Sequence, residues 1–191
     1  GTYKSAGDYR NKYDGRVLNS RFNEGNFGGY AGLNKSWGYS HLIFSRFNQK
    51  IGMVEGDRDD ATGRFLLFTG SPLERIATTA DLDERSLFVP FQHIKHTRLV
   101  SDNNFAIHKS RLKINLAYQN NQRKEYGNPE DVTEEELFFD LKTFNYNIQW
   151  QLPEMKEWHT SFGVNGMQQT NRNKAEEVLI PEYNLFDAGV F

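Results

Sequence analysis

The stretch Phe138–Phe162, FFDLKTFNYNIQWQLPEMKEWHTSF, decides the fold. From Phe144 it alternates with a period of two. Phe144, Tyr146, Ile148 and Trp150 fall on one face of an extended chain, and Asn145, Asn147, Gln149 and Gln151 on the other. Aromatic and β-branched residues in this rhythm mark a strand, because successive side chains of an extended backbone point to opposite sides. Pro153–Trp158 turns the chain. A second run follows, with Trp158, Thr160, Phe162 and Val164 facing one way and His159, Ser161, Gly163 and Asn165 the other. The wet face of an ordinary sandwich strand carries Lys, Glu and Thr. Here it carries uncharged Asn and Gln, and aromatic residues sit at both ends of the turn. That combination suits lipid outside, a watery lumen inside and an aromatic girdle at the boundary.

Working outward, the cleanest strand is Leu112, Ile114, Leu116 and Tyr118 against Lys113, Asn115, Ala117 and Gln119. It returns from a strand ending near Phe105–Ile107 through a turn at His108–Arg111, making Phe91–Tyr126 a hairpin. Phe27–Gln49 reads as another, with its turn at Trp37–Gly38. Glycines at 28, 29 and 32 weaken its first strand and leave room for something to pack closely. In its second strand two outward faces are open, Tyr39/Ile43/Phe47 or Leu42/Phe44. Gly1–Asn26, Asn120–Glu136 and Gly166–Asn184 are polar and read as connections. Ile51–Pro90 is a long one, with a charged knot at Glu55–Asp60 and an apolar patch at Phe65–Phe68. Ser71-Pro-Leu-Glu-Arg75 predicts a helix start, with Ser as N-cap, Pro at N1 and Glu at N3. Thr78–Arg85 has room for one more helical turn.

Tight turns therefore alternate with long connections. Soluble sandwiches place loops of mixed length at both ends, whereas outer-membrane barrels keep short turns at one rim and long loops at the other. The expected architecture is all-β: an antiparallel up-and-down meander of about seven strands, a partial segment of a large transmembrane β-barrel with its long loops on one side. Leu112, Ile114, Leu116, Tyr118, Phe144, Tyr146, Ile148 and Trp150 are expected to face lipid. Asn115, Gln119, Asn145, Asn147 and Gln149 are expected to face the lumen. A soluble β-sandwich acting as a carbohydrate-binding module is the alternative, and it needs a second sheet over the apolar face.

The totals agree with an alternating β chain. Of 191 residues only 37% are hydrophobic, yet 14% are aromatic, a poor supply for a helical core. No apolar run reaches the ~20 residues of a membrane-spanning helix. A net charge of -2 gives no field that recruits nucleic acid. Cysteine is absent, so disulfides, thiol nucleophiles and Cys-based metal sites are excluded. The N-terminus lacks a basic n-region and an apolar h-region. Both ends read as interior to a longer chain.

Candidate sites are few. His93-Ile-Lys-His96 has ligand spacing only on a helix, since in a strand the two rings point apart. Asp57-Arg-Asp-Asp60 is rich in carboxylates but lacks the EF-hand spacing. Glu134–Glu136 and Glu176-Glu177 are adjacent carboxylates in polar loops, not the spaced pair that glycosidases use. No phosphate loop, nucleophile elbow or triad order appears. No catalytic residue, cofactor or metal site is assigned. Arg123 and Lys124, with Arg172 and Lys174, make the outer loops locally basic, and Tyr126, Tyr183 and Phe186 offer rings to stack on a ligand. Arg123, Lys124, Tyr126, Arg172 and Tyr183 are the ligand-binding candidates.

Five blocks in order cover most of the chain: 29–52, 90–105, 112–129, 137–150 and 163–191. Together they resemble the β-barrel of TonB-dependent outer-membrane receptors. Each is a strand-plus-loop pattern, for example GYAGLNKSWGYSHLIFSRFNQKIG and LKINLAYQNNQRKEYGNP. The resemblance implies active transport of a large nutrient complex, such as an iron chelate, haem, cobalamin or a glycan, in the outer membrane of a Gram-negative bacterium. It further implies a barrel of about 22 strands, an N-terminal plug and energy from inner-membrane TonB. Partners implied are the plug, the remaining barrel strands, the TonB complex and outer-membrane lipid. This chain shows no plug, TonB box or closing strand, so it matches a middle section of such a wall.

Overall fold

The computed structural model describes residues 1–191. In chain order the elements are β1 (Thr2–Ala6), β2 (Arg10–Asn11), β3 (Gly15–Arg16), β4 (Phe22–Lys35), β5 (Gly38–Gly52), β6 (Leu66–Leu67), β7 (Arg75–Ile76), α1 (Thr79–Asp83), β8 (Phe91–Ile107), β9 (Ser110–Tyr126), β10 (Leu137–Gln151), β11 (Ser161–Asn173) and β12 (Tyr183–Val190). Eight strands form one antiparallel sheet in the order β1-β4-β5-β8-β9-β10-β11-β12. From β4 onward the order follows the chain, so each strand pairs with the next long one. The fold is all-β and the sheet is an open meander.

Short turns lie at one end of the sheet: Ser36–Trp37, His108–Lys109 and Lys156–Glu157, where the β10–β11 hairpin closes through the Met155–Trp158 bridge. The connections 53–90, 127–136 and 174–182 lie at the other. The first turn requires its glycine. Gly38 has φ of +126°, and a Cβ there would collide with the Asn104 carbonyl of β8.

The strands are sheared. The β4–β5 hairpin closes at Gly38, opposite Phe105. β8 runs on to Ile107 before closing onto Ser110. The β10–β11 hairpin reaches further, through a Leu152 N to Thr160 O bond of 2.9 Å and a bridge between Met155 and Trp158. At the far end the strands retreat in the same sense. Tyr126 opposes Phe91, Leu137 opposes Glu125, Asn173 opposes Phe139 and Tyr183 opposes Asn171. A progressive stagger of this kind accompanies strands that tilt to form a curved wall.

No second sheet covers either face. The other two sheets are the pairs β2-β3 and β6-β7. Only 14 of 191 residues are buried, and the apolar cluster among them lies outside the sheet. Val17, Leu18, Phe65, Leu67 and Ala77 form it, with Phe68, Leu82 and Phe88 packed around. Residues 8–21 and 53–90 thus fold into a small unit at the long-loop end. Two side chains lock it. Arg21, fully buried, donates to both carboxylate oxygens of Asp8 (2.9 and 2.5 Å) and to the carbonyls of Ser86 (3.0 Å) and Asp81 (2.8 Å). Asn19 donates to the carbonyls of Met53, Phe88 and Pro90 at 2.8–3.1 Å. A buried charge is tolerable when every donor is matched.

Several expected boundaries change. The main sheet has eight strands rather than seven. Gly1–Asn26 contains β1, the β2-β3 hairpin and the start of β4. β9 continues to Tyr126 and β11 to Asn173, so parts of the expected connections are strand. These stretches are largely polar on both faces, so they show no apolar period, and ladder pairing together with side-chain ion pairs such as Lys124–Glu135 and Arg172–Glu182 holds them. The helix start at Ser71 does not form. Ser71 Oγ does accept from Leu73 N (3.1 Å) as a cap would, but the Glu74 carboxylate accepts from Gly70 N (2.7 Å) instead of returning to Ser71, and Arg75–Ile76 pairs as β7, so the helix does not continue. Helix forms instead at Thr79–Asp83, where Thr78 and Asp81 make a capping box.

Candidate functional site

Partners across an antiparallel ladder point to the same side, so the register sorts the sheet into two faces. One face carries, row by row from the tight turns, Phe105–Leu112–Trp150–Phe162, then Asn103–Ile114–Ile148–Val164–Val190. Above these come Leu42–Ser101–Leu116–Tyr146–Gly166–Ala188 and Phe44–Leu99–Tyr118–Phe144–Gln168–Phe186. All eight residues expected to face lipid fall in these four rows. The rows span about 20 Å along the strands, close to the ~25 Å apolar band of outer-membrane barrels. Trp37 stacks on Phe105 at 5.6 Å, adding an aromatic at the tight-turn rim. The register also resolves the open choice in β5: Leu42 and Phe44 lie on this face, and Tyr39, Ile43 and Phe47 on the other.

These side chains are not a core. Leu42 is 48% exposed, Phe162 53% and Phe186 71%. Left in water, each large apolar side chain forgoes about 1.5–3 kcal/mol relative to full burial. The polar exception within the band is self-contained. Asn103, 8% exposed, accepts from Ser40 Oγ (2.5 Å) and donates to Ser101 Oγ (2.9 Å) and the Ile114 carbonyl (3.1 Å). Its polar atoms are paired without water, as an apolar surround demands. Sequence reading missed this cluster, because nothing in the local pattern links Ser40 to Asn103, 63 residues away.

The opposite face is richer in polar side chains, although one row, Ile43–Val100–Ala117–Asn145–Met167, is mostly apolar and Tyr39, Phe47 and Ile51 of β5 lie here too. Asp102, Asn115, Asn147 and Asn165 stand side by side in one row, and Arg98, Gln119, Thr143 and Gln169 in another. Asn115, Gln119, Asn145, Asn147 and Gln149, the residues expected to face the lumen, all lie on this face. Three concavities open on this face. One of about 490 Å³ is lined by polar Arg98, Asn115, Asn147 and Asp187 and by apolar Val100, Ala117 and Met167. Another, about 610 Å³, lies at the tight-turn rim beside Lys109, Arg111, Gln151 and His159. The third, about 340 Å³, is bordered by Asn26, Ser45, Phe47 and His96. The sheet is hollow on its amide side. Of the β4 and β11 glycines, Gly32 and Gly166 have their space filled by tyrosines of the sheet itself, while Gly29 has none of its space filled. Tyr30 Oη lies 2.6 Å from where a Gly32 Cβ would stand, and Tyr146 Oη 2.5 Å from that of Gly166.

The ligand-binding candidates do not converge. Arg123, Lys124, Tyr126 and Arg172 lie in strands rather than loops, because β9 and β11 extend well past the apolar band. Arg123 is on the amide face, paired with Glu125 at 2.5 Å. Lys124 is on the other face, 2.5 Å from Glu135, and Tyr126 donates to the same carboxylate at 3.2 Å while stacking on Phe91. Arg172 pairs with Glu182 at 3.0 Å, and Tyr183 donates to Gln169 at 2.8 Å on the amide face. Each is held by a neighbour, so the five make no common pocket. His93 and His96 point to opposite faces. His93 stands beyond the apolar band and its Nε2 donates to Asn48 Oδ1 at 2.8 Å. Burial, then the nearby Lys95, Lys50 and Lys124, press its imidazole down to about 4.

No family model, curated protein or solved structure matches this chain.

Proposed function

We propose that this chain is a section of the wall of an outer-membrane, TonB-dependent active transporter for a large nutrient complex: an iron chelate, haem, cobalamin or a glycan. One observation carries the membrane part of the reading. A four-row apolar band, rimmed by aromatics and covered by nothing, backs onto a hollow face of amides. A sheet with those two faces is stable when one solvent is hydrocarbon and the other water. The shear of the strands supports the same reading, since a barrel needs it, as does the segregation of short turns from long connections, a pattern of outer-membrane barrels. The soluble-sandwich alternative lacks its second sheet within these residues.

The transport part rests on the resemblance of the five blocks, which fall on the long strands and the loops that join them. In this reading the wall excludes lipid from the lumen. Asn115, Asn147 and Asn165 line the side along which a plug and a hydrated solute sit, and no residue here performs covalent chemistry. Uptake of ferric chelates, haem, cobalamin and oligosaccharides by cells with and without the full protein tests it. One substrate class is expected to depend on the protein and to stop when the proton gradient is collapsed. Uptake unchanged for every class contradicts the transport reading.

A further inference from the structure

The apolar face does not stay apolar to the top. Immediately above the aromatic row Phe44–Tyr118–Phe144 comes Arg46–Thr97–Asn120–Lys142–Thr170, and above that Asn48–Lys95–Gln122–Asp140–Arg172. Arg46 and Lys142 are exposed, and Lys95, in the second of these rows, is half-buried. Arg46 and Lys95 make no ion pair, and Lys142 only reaches Asp140 at 3.9 Å. Asp140, the one carboxylate in those two rows, is itself neutralised. It is 3% exposed, pairs with Lys174 and accepts from Asn120 (2.6 Å) and Gln122 (3.2 Å). Arg46 and Lys142 are three strand spacings apart, about 14 Å, with Lys95 on a strand between. At the tight-turn end of the same face, Lys35 is the only basic residue in the strands.

We propose that Arg46, Lys95 and Lys142 form a basic belt that binds the phosphate groups of outer-leaflet glycolipid headgroups. The inference rests on the wall reading and goes beyond it, because it names the lipid that the wall recruits. The belt is on the lipid side and directly continues the apolar band, so an acyl chain lying on Leu99 and Tyr118 carries its headgroup to Lys95 and Arg46. A solute bound for the lumen meets the opposite, amide face instead. Position at the long-loop rim assigns the belt to the outer leaflet. Charge complementarity selects phosphate over a neutral headgroup, and juxtamembrane cations of this kind act at short range.

The test uses the full-length protein reconstituted into phosphatidylcholine bilayers that contain either diphosphorylated lipid A or its dephosphorylated form, with retained lipid measured by native mass spectrometry. The protein is expected to retain the phosphorylated form selectively. R46Q/K95Q/K142Q is expected to weaken retention about a hundredfold, K35Q not at all, and millimolar inorganic phosphate is not expected to compete. Equal retention of both lipids, an unaffected triple variant, or displacement by inorganic phosphate overturns the belt. Failure of the unaltered protein to enter the bilayer overturns the wall reading instead.

Discussion

Ile114 of β9 stands directly opposite Ile148 of β10, on a face over which no other layer of the chain packs. Their sequence neighbours Asn115 and Asn147 make the same pair on the other face. The two ladders share one backbone and meet different surroundings. A substitution at one position therefore has a different consequence from the same substitution one residue away. Ile148→Arg is expected to destabilise the inserted protein by about 2–4 kcal/mol, the cost of a cation at mid-bilayer depth. Asn147→Arg, one residue earlier, is expected to change stability by less than about 1 kcal/mol. Urea unfolding in lipid vesicles separates the two, and equal effects contradict the assignment of faces.

Asn103 extends the same logic to a polar side chain. Ser40, Ser101 and the Ile114 carbonyl use up its hydrogen-bonding groups inside the band. Asn103→Asp adds a charge there and removes two donors, and a loss of about 2 kcal/mol or more is expected from unpaired burial. Asn103→Asp/Ser40→Ala recovers none of it if the charge is the cause. Full recovery in that double variant contradicts this account.

The loop unit is a separate stability problem. Replacing Arg21 with Met leaves the Asp8 carboxylate buried without its partner, and breaking such a pair costs about 3–5 kcal/mol. The loss is expected to stay local. Amide exchange should rise across residues 8–21 and 53–90 while β9 and β10 keep their protection. Uniform loss of protection throughout the sheet argues that the unit is not independent.

Acid acts on the same unit through Asp81. Its carboxylate takes two 2.7 Å bonds from Arg75 and caps Thr78 N at 2.7 Å. The Arg75 hydrogen bonds, then those from Thr78, hold its folded-state pKa well below the ordinary carboxylate range. A depressed folded pKa contributes stability that is present above the unfolded value, near 4, and lost as pH falls below it. Amide protection in residues 75–85, taken relative to the intrinsic exchange rate at each pH, is expected to fall as pH drops from about 5 towards 2, and Asp81→Asn to abolish that dependence. A pH-independent profile in the unaltered protein refutes the role given to Asp81.

The strands β9 and β10 were legible in the sequence because their two faces differ at every step. So was the segregation of turns, which follows from spacing alone. The polar ends of β4, β9 and β11 were not, since a strand with wet residues on both sides has no period to read. The core of the loop unit was hidden for another reason. Arg21 and Asp8 look like surface residues locally, and only the return of residues 81–86 completes their partners. The basic belt was not legible. The cations that stood out, Arg123, Lys124, Arg172 and Lys174, are not its members, and Arg46, Lys95 and Lys142 are far apart in sequence. Register put Arg46, Lys95 and Lys142 together from three strands.

The most direct measurement exploits the absence of cysteine. Single cysteines at 144 to 150 in the membrane-reconstituted protein, each carrying a spin label, report collision with oxygen dissolved in lipid and with a water-soluble nickel chelate. Positions 144, 146, 148 and 150 are expected to favour oxygen, and 145, 147 and 149 the chelate, alternating residue by residue. Equal access to the chelate along the whole strand, or shielding of the even positions from both probes, contradicts the two-faced wall.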